Sequence, residues 1–119
     1  MILTLKTEGH FDSAHHLLNY KGRCSQPHGH RWRVVVFVRG DDKYLDKSNI
    51  LRDFNSIKAC WECFDHIDLN EYFGNDESTS AEFLVRKIYN SLRIHHTPLQ
   101  YKVQLYESPE SYAECGDWI

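Results

Sequence analysis

The segment CSQPHGHRW, Cys24 to Trp32, puts a thiol and two imidazoles within seven residues, directly ahead of the apolar run Val34 to Val38. On an extended strand His28 and His30 stand at i and i+2, so their side chains leave one face with α-carbons roughly 6.6 Å apart. Two imidazoles so placed can converge on one ion with Zn–N bonds of about 2.0–2.1 Å, and Gly29 leaves room between them. A third histidine would complete the three-ligand pattern of catalytic zinc, whose fourth position stays open to water or substrate. His15, in FDSAHHL, is the candidate. His15 and His16 point to opposite sides of an extended chain, so one of them faces the ion, and spacing alone does not choose. The competing reading of a His-x-His pair is two solvated or hydrogen-bonded side chains. Here the pair runs on into an apolar strand face, where leaving imidazoles unpartnered is costly.

Cys24 lies four residues before His28, in a loop with Gly22, Ser25 and Pro27 and beside Lys21 and Arg23. A thiol near a dication and two cationic side chains holds more of its thiolate form, which suits a general base or nucleophile. The same residues support a second reading, in which Cys24 is a fourth ligand and the zinc is structural. In FDHIDLN, Asp65 and His66 adjoin and could relay a proton with a thiol; alternatively they form a charge arrangement at a helix end. Glu107 ends a strand on the face of Tyr101, Val103 and Leu105. It is either a bidentate acceptor for a ligand's N–H donors or a salt-bridge partner. The CWEC run, Cys60 to Cys63, lacks the second ligand pair of a zinc knuckle and the strand-then-helix setting of a thioredoxin-like site. Cys60 therefore reads as core packing, Cys115 as structural, and His10, His16, His95 and His96 as ordinary polar residues.

These side chains need elements to carry them. Alternation in HGHRWRVVVFVRG predicts a strand that is apolar on both sides over much of its length. ILTLKTEGHF predicts an earlier strand, and YKVQLYE and SYAEC two later ones joined by a Ser108-Pro109 turn. DFNSIKACWECF carries Phe54, Ile57, Cys60, Trp61 and Phe64 at helical spacing, capped by Asp53. TSAEFLVRKIYNSL offers a Thr79/Glu82 capping box and a stripe of Ala81, Leu84, Val85, Ile88 and Leu92. The fold class is α+β: a four-stranded antiparallel sheet with two helices on one face. Its other face is expected to be covered by further subunits.

A chain of 119 residues fits one domain, 1–119, with no repeat or linker. Its composition, 41% hydrophobic and 26% charged, is that of a globular protein. A net charge of −3 gives no bulk attraction to nucleic acid or anionic lipid, so a phosphate-bearing ligand must be held locally. No segment reads as a secretion signal or bilayer span, and four cysteines without one point to reduced thiols and a cytoplasmic location.

Taken in order, FDSAHHL, CSQPHGH, LRDFNSIK, FDHIDLN, TSAEFL and YES resemble the 6-pyruvoyltetrahydropterin synthase family over nearly the whole chain. The Cys-x-x-x-His-Gly-His spacing looks most like its 6-carboxytetrahydropterin synthase branch; the pyruvoyl branch usually has a longer gap. Thr79-Ser80-Ala81-Glu82 stands where the family usually begins this helix with Pro-Thr-Ser/Ala-Glu, so the proline is absent. The resemblance implies zinc bound by His15, His28 and His30, a catalytic Cys24, a proton relay through Asp65 and His66, and a pterin-anchoring Glu107. It also implies the tunnelling fold (T-fold), in which sheets from several subunits close into an oligomeric barrel. The assembly would be a homo-oligomer, a hexamer or similar, with sites at subunit interfaces. Asp65 and His66 would there meet Cys24 of a neighbouring chain.

The expected function is a zinc-dependent carbon–carbon/carbon–oxygen lyase. It would convert 7,8-dihydroneopterin triphosphate to 6-carboxy-5,6,7,8-tetrahydropterin with loss of acetaldehyde and triphosphate, on the route to queuosine and related deazaguanines. Lys21 and Arg23 are candidates for the triphosphate. The alternatives are the pyruvoyl product from the same residues, a non-catalytic zinc module closed by Cys24, and a zinc hydrolase in which Cys24 is dispensable.

Overall fold

A computed structural model describes residues 1–94 and 98–118. His95 and His96, read above as ordinary polar residues, lie outside the described residues. The first two strands, β1 (Ile2–His15) and β2 (His28–Asp41), form one antiparallel ladder running from Ile2↔Asp41 to His15↔His28. Two strands of 14 residues at about 3.3 Å per residue span roughly 46 Å, which sets the 49 Å long axis of the molecule. β1 continues four residues past the predicted end at Phe11, because the partners Arg31 to His28 extend the ladder across Asp12 to His15.

After β2 come α1 (Phe54–Glu62), β3 (Ile67–Asp68), α2 (Leu69–Phe73), α3 (Ala81–Arg93), β4 (Gln100–Ser108) and β5 (Ser111–Gly116). The sheet order is β3-β1-β2-β4-β5. The four antiparallel strands expected from the sequence are β1, β2, β4 and β5. The fifth, β3, pairs parallel to β1 through Ser13↔Ile67 and Ala14↔Asp68 only. Two residues carry no alternation to read, and the single helical turn of α2, started by the Asp68 side chain on Asn70 N–H, is equally short.

The core lies between the sheet and the two longer helices. Phe11, Trp32, Val34, Val36, Val38, Tyr101, Val103 and Leu105 from the sheet meet Ile57, Trp61, Leu84, Val85, Ile88 and Leu92. Every member of the predicted α3 stripe is buried; of the α1 stripe, Phe54 is exposed and Cys60 only partly covered. Gly9 lets Trp61 lie against β1: a Cβ there would stand 3.0 Å from the indole. The opposite sheet face is less apolar than expected. Val35 is its buried residue, while Lys6, Glu8, Arg31 and Arg33 stand exposed around it and Arg33 lies over the Tyr106 ring at 4.6 Å. No further layer of the described residues covers that face.

The α3 start also differs from the predicted capping box. Ser80 is the N-cap, its hydroxyl accepting from Phe83 N–H at 3.2 Å. Thr79 is buried and its side chain is used elsewhere, as described below. At the far end, buried Arg52 donates to the Leu92 carbonyl (2.8 Å) and the Tyr101 hydroxyl (2.9 Å), satisfying a carbonyl that the end of α3 leaves open.

Candidate metal centre

The register of the β1–β2 ladder builds the site. Directly paired residues share a face, so Phe11/Trp32, Ser13/His30 and His15/His28 stand in succession on the helix-covered side. His15 is therefore the histidine that turns into the site, 1% exposed, while His16 is half-buried and outside the donor group. The ring centroids of His15, His28 and His30 lie 4.5–5.1 Å from one another. Glu107, two residues beyond core residue Leu105 on β4, joins them from the side. One donor atom from each of His15, His28, His30 and Glu107 falls within 4.8 Å of the others.

Hydrogen bonds fix which nitrogen two of the three rings offer. His15 Nδ1–H donates to the Thr79 carbonyl (2.6 Å) and His28 Nδ1–H to the Gln26 carbonyl (2.7 Å), since a carbonyl only accepts. Each Nε2 is then a bare lone pair. The Nε2 atoms of His15, His28 and His30 are buried and have no hydrogen-bond partner; Glu107 Oε1 stands 3.1 Å from that of His30 and 3.9 Å from that of His15. Two bare lone pairs, the buried Nε2 of His30 and a carboxylate around one point suit a dication that takes nitrogen and oxygen ligands. Backbone carbonyls holding the far side of metal-binding rings are the usual outer support of such sites.

Electrostatics agree. Burial pushes the His15 imidazole below the ordinary histidine value, against its bond to Thr79, and neighbouring His28 lowers it further. Burial does the same to His30, with Glu107 opposing and His28 assisting. Both are thus held neutral, the form that binds metal. Trp32, fully buried, lies edge-on beneath His15 and His30 at 4.8 and 5.3 Å, closing the floor to water.

The remaining candidates stand apart from this group. Cys24 is partly exposed and free, on a 3₁₀ turn, Arg23–Ser25, in the loop between β1 and β2. Its carbonyl accepts Leu17 N–H at 2.8 Å, tying it to the strand end two residues past His15. Lys21 and Arg23 are exposed beside it. Asp65 and His66 sit at the other edge of β1, where Asp65 Oδ1 accepts Asp12 N–H (2.8 Å) and His66 N–H donates to the Asp12 carbonyl (2.6 Å). His66 has φ 58°, in the left-handed region that histidine, asparagine and aspartate enter more often than other side-chain-bearing residues. Its ring projects outward, 80% exposed, with Nε2 3.5 Å from Asp65 Oδ2. Cys60 packs against the core, Cys115 bonds the Val85 carbonyl, and Cys63 takes a contact from Tyr72. None of these thiols belongs to the donor group among the described residues.

Sequence reasoning placed the three histidines but not the carbonyls of Thr79 and Gln26, which no residue type announces. It put Glu107 on the correct face. Its membership of the donor group follows from Leu105 pairing with Val34, a register that no spacing within β4 reveals.

Comparison with known proteins agrees with this layout. Curated relatives include the 6-carboxy-5,6,7,8-tetrahydropterin synthase of Bacillus subtilis, 32% identical over 91% of this chain and 81% of its own length. That of Synechocystis is 29% identical over 87% and 84%. Among solved structures, the 6-pyruvoyl tetrahydropterin synthase of Caenorhabditis elegans superposes with a TM-score of 0.78 at 20% identity, covering 99% of this chain and 97% of that one. The Plasmodium vivax 6-pyruvoyl tetrahydropterin synthase superposes with a TM-score of 0.72, covering 100% and 99%. The family model for 6-pyruvoyl tetrahydropterin synthase matches residues 4–117, and the chain belongs to that family.

Proposed function

We propose that the chain is a zinc-dependent 6-carboxy-5,6,7,8-tetrahydropterin synthase, a cytoplasmic homo-oligomeric lyase that takes 7,8-dihydroneopterin triphosphate to 6-carboxytetrahydropterin, acetaldehyde and triphosphate. The observation that carries the reading is the convergence of three orphaned Nε2 atoms beside Glu107. The names of the curated relatives support the carboxy branch.

His15, His28 and His30 would hold the zinc, which when bound supplies Lewis acidity to substrate side-chain oxygens. Glu107 would anchor the pterin ring by accepting its N–H donors, and its place beside the histidines brings the ring's side chain to the ion. Cys24 would move the carbon-bound proton, and His66 with Asp65 the second one. Because the His66 ring faces outward, it would meet Cys24 of a neighbouring subunit, the two open edges of the sheet providing the means of barrel closure. Lys21 and Arg23 remain candidates for the triphosphate.

The test is product analysis with 7,8-dihydroneopterin triphosphate. Acetaldehyde released in step with turnover is expected, and a 6-pyruvoyl product without acetaldehyde would move the chain to the other branch. Mixing inactive Cys24→Ala and His66→Asn subunits before reassembly should regain part of the turnover if one site draws on two chains.

A further inference from the structure

The structure assigns to Asn70 a positioning role for the metal site: its side-chain amide holds in place the carbonyl that sets the His15 ring. The inference rests on the metal reading of the histidine cluster. Asn70 is fully buried and uses its whole hydrogen-bonding capacity. Its Oδ1 accepts from His16 N–H (2.9 Å) and from the Thr79 hydroxyl (2.8 Å). Its Nδ2 donates to the His16 carbonyl (3.1 Å) and the Glu77 carbonyl (3.0 Å).

Gripping both backbone groups of His16 makes the amide act as one more rung of the sheet. The β1–β3 pairing stops at Ala14↔Asp68, and the Asn70 side chain takes over immediately past His15. The other two bonds reach the segment 74–80, which carries no helix or strand. That segment presents the Thr79 carbonyl to His15 Nδ1–H. One amide thus ties together the strand that carries the ligand and the segment that orients its ring. Ser78 Oγ, accepting Leu18 N–H at 3.0 Å, is a second tie on the same segment, to the chain past His16. A purely structural polar plug would need only to satisfy neighbouring backbone groups. Asn70 also takes the Thr79 hydroxyl, and Thr79 is thereby withdrawn from capping α3, a task that falls to Ser80.

The tests are Asn70→Ala and, as a milder change that leaves the backbone carbonyl in place, Thr79→Val with Thr79→Ser as its conservative partner. Zinc affinity by chelator competition should fall about 10–100-fold for Asn70→Ala, the range for outer-shell partners of metal-binding histidines. Thr79→Val should fall less, and Thr79→Ser should stay near wild type. Nitrogen NMR of the metal-free protein should show His15 as the Nδ1–H tautomer in wild type and a mixture in Asn70→Ala. If Asn70→Ala does not fold, the Thr79 pair decides. A folded Asn70→Ala with wild-type zinc affinity and an unchanged His15 tautomer would overturn the inference. So would Thr79→Val and Thr79→Ser binding zinc alike. Wild-type protein that binds no zinc while the tautomer still depends on Asn70 would sink the metal reading and leave the positioning role standing.

Discussion

His15, His28 and His30 stand on the inner face of the sheet, with two Nδ1 atoms committed to backbone carbonyls and all three Nε2 atoms waiting, whereas Cys24, Asp65 and His66 occupy turns at the surface. The first group is completed within one chain: ladder register, a buried indole floor and the fixed tautomers of His15 and His28 determine it before any ligand arrives. The second is held by bonds to Leu17 and Asp12, with Asp65 tied by its carboxylate and paired with His66, but the His66 ring points to solvent and Cys24 is not part of that pair. On the proposed reading, metal capture would be a property of the monomer and proton transfer a property of the assembly.

That contrast can be broken most decisively at the inner face. His28→Ala or His30→Ala should abolish stoichiometric zinc binding and turnover together, measured by metal analysis and acetaldehyde release. Retention of one zinc per chain in either variant would show that the cluster is not the ligand set. Cys24→Ala should separate the two halves, keeping zinc at wild-type stoichiometry while turnover falls by about 10²–10⁴-fold, the range for a positioned acid–base group. Loss of metal with the thiol would instead favour a closed structural site. His66→Asn should cost about 10²-fold in kcat with zinc content unchanged. Dilution to monomers should remove the remaining activity and leave the zinc bound.

The smallest effect should come from outside both groups. Asp117 accepts Tyr101 N–H at 2.8 Å and pairs with Arg93 at 2.9 Å and with the Tyr89 hydroxyl. Burial alone would raise its carboxyl, but these partners outweigh it and hold the group below the ordinary aspartate value. A depressed folded value stabilises above the unfolded aspartate pKa, about 3.9, and that stabilisation is lost as pH falls through the folded value. Asp117→Asn should cost about 1–2 kcal/mol at neutral pH. The gap should close below about pH 4 in denaturant titrations, with zinc affinity untouched throughout. A change in zinc affinity would mean that the inner cluster is not set locally.

Much of this was legible in the chain. The alternation through His28, His30, Trp32 and Val34 put the two candidate ligands on a core-facing strand because period-two patterning survives folding wherever one face is buried. Asp53 capped α1 as read, through Asn55 N–H at 2.7 Å. The choice of His15 over His16 needed the partner strand, since parity within β1 says only that they differ. The cap of α3 slipped from Thr79 to Ser80 because Asn70, nine residues away, claims the Thr79 hydroxyl, a tertiary demand that local sequence does not carry. β3 was missed for its length, and the polar character of the outer sheet face because the pairing that sets Lys6 and Glu8 of β1 beside Phe37 and Val35 is not visible within β2.

The placement of His15 opposite His28 has one more consequence. They form the last rung of the β1–β2 ladder, at the mouth of loop 16–27. An ion gripping that rung would clasp the hairpin where it would otherwise fray, closing a loop much as a covalent bridge does. Amide protons around Ala14 and His30 should then exchange with solvent far more slowly when zinc is added, while those near Leu3 and Gly40, at the opposite end of the same ladder, keep their pace.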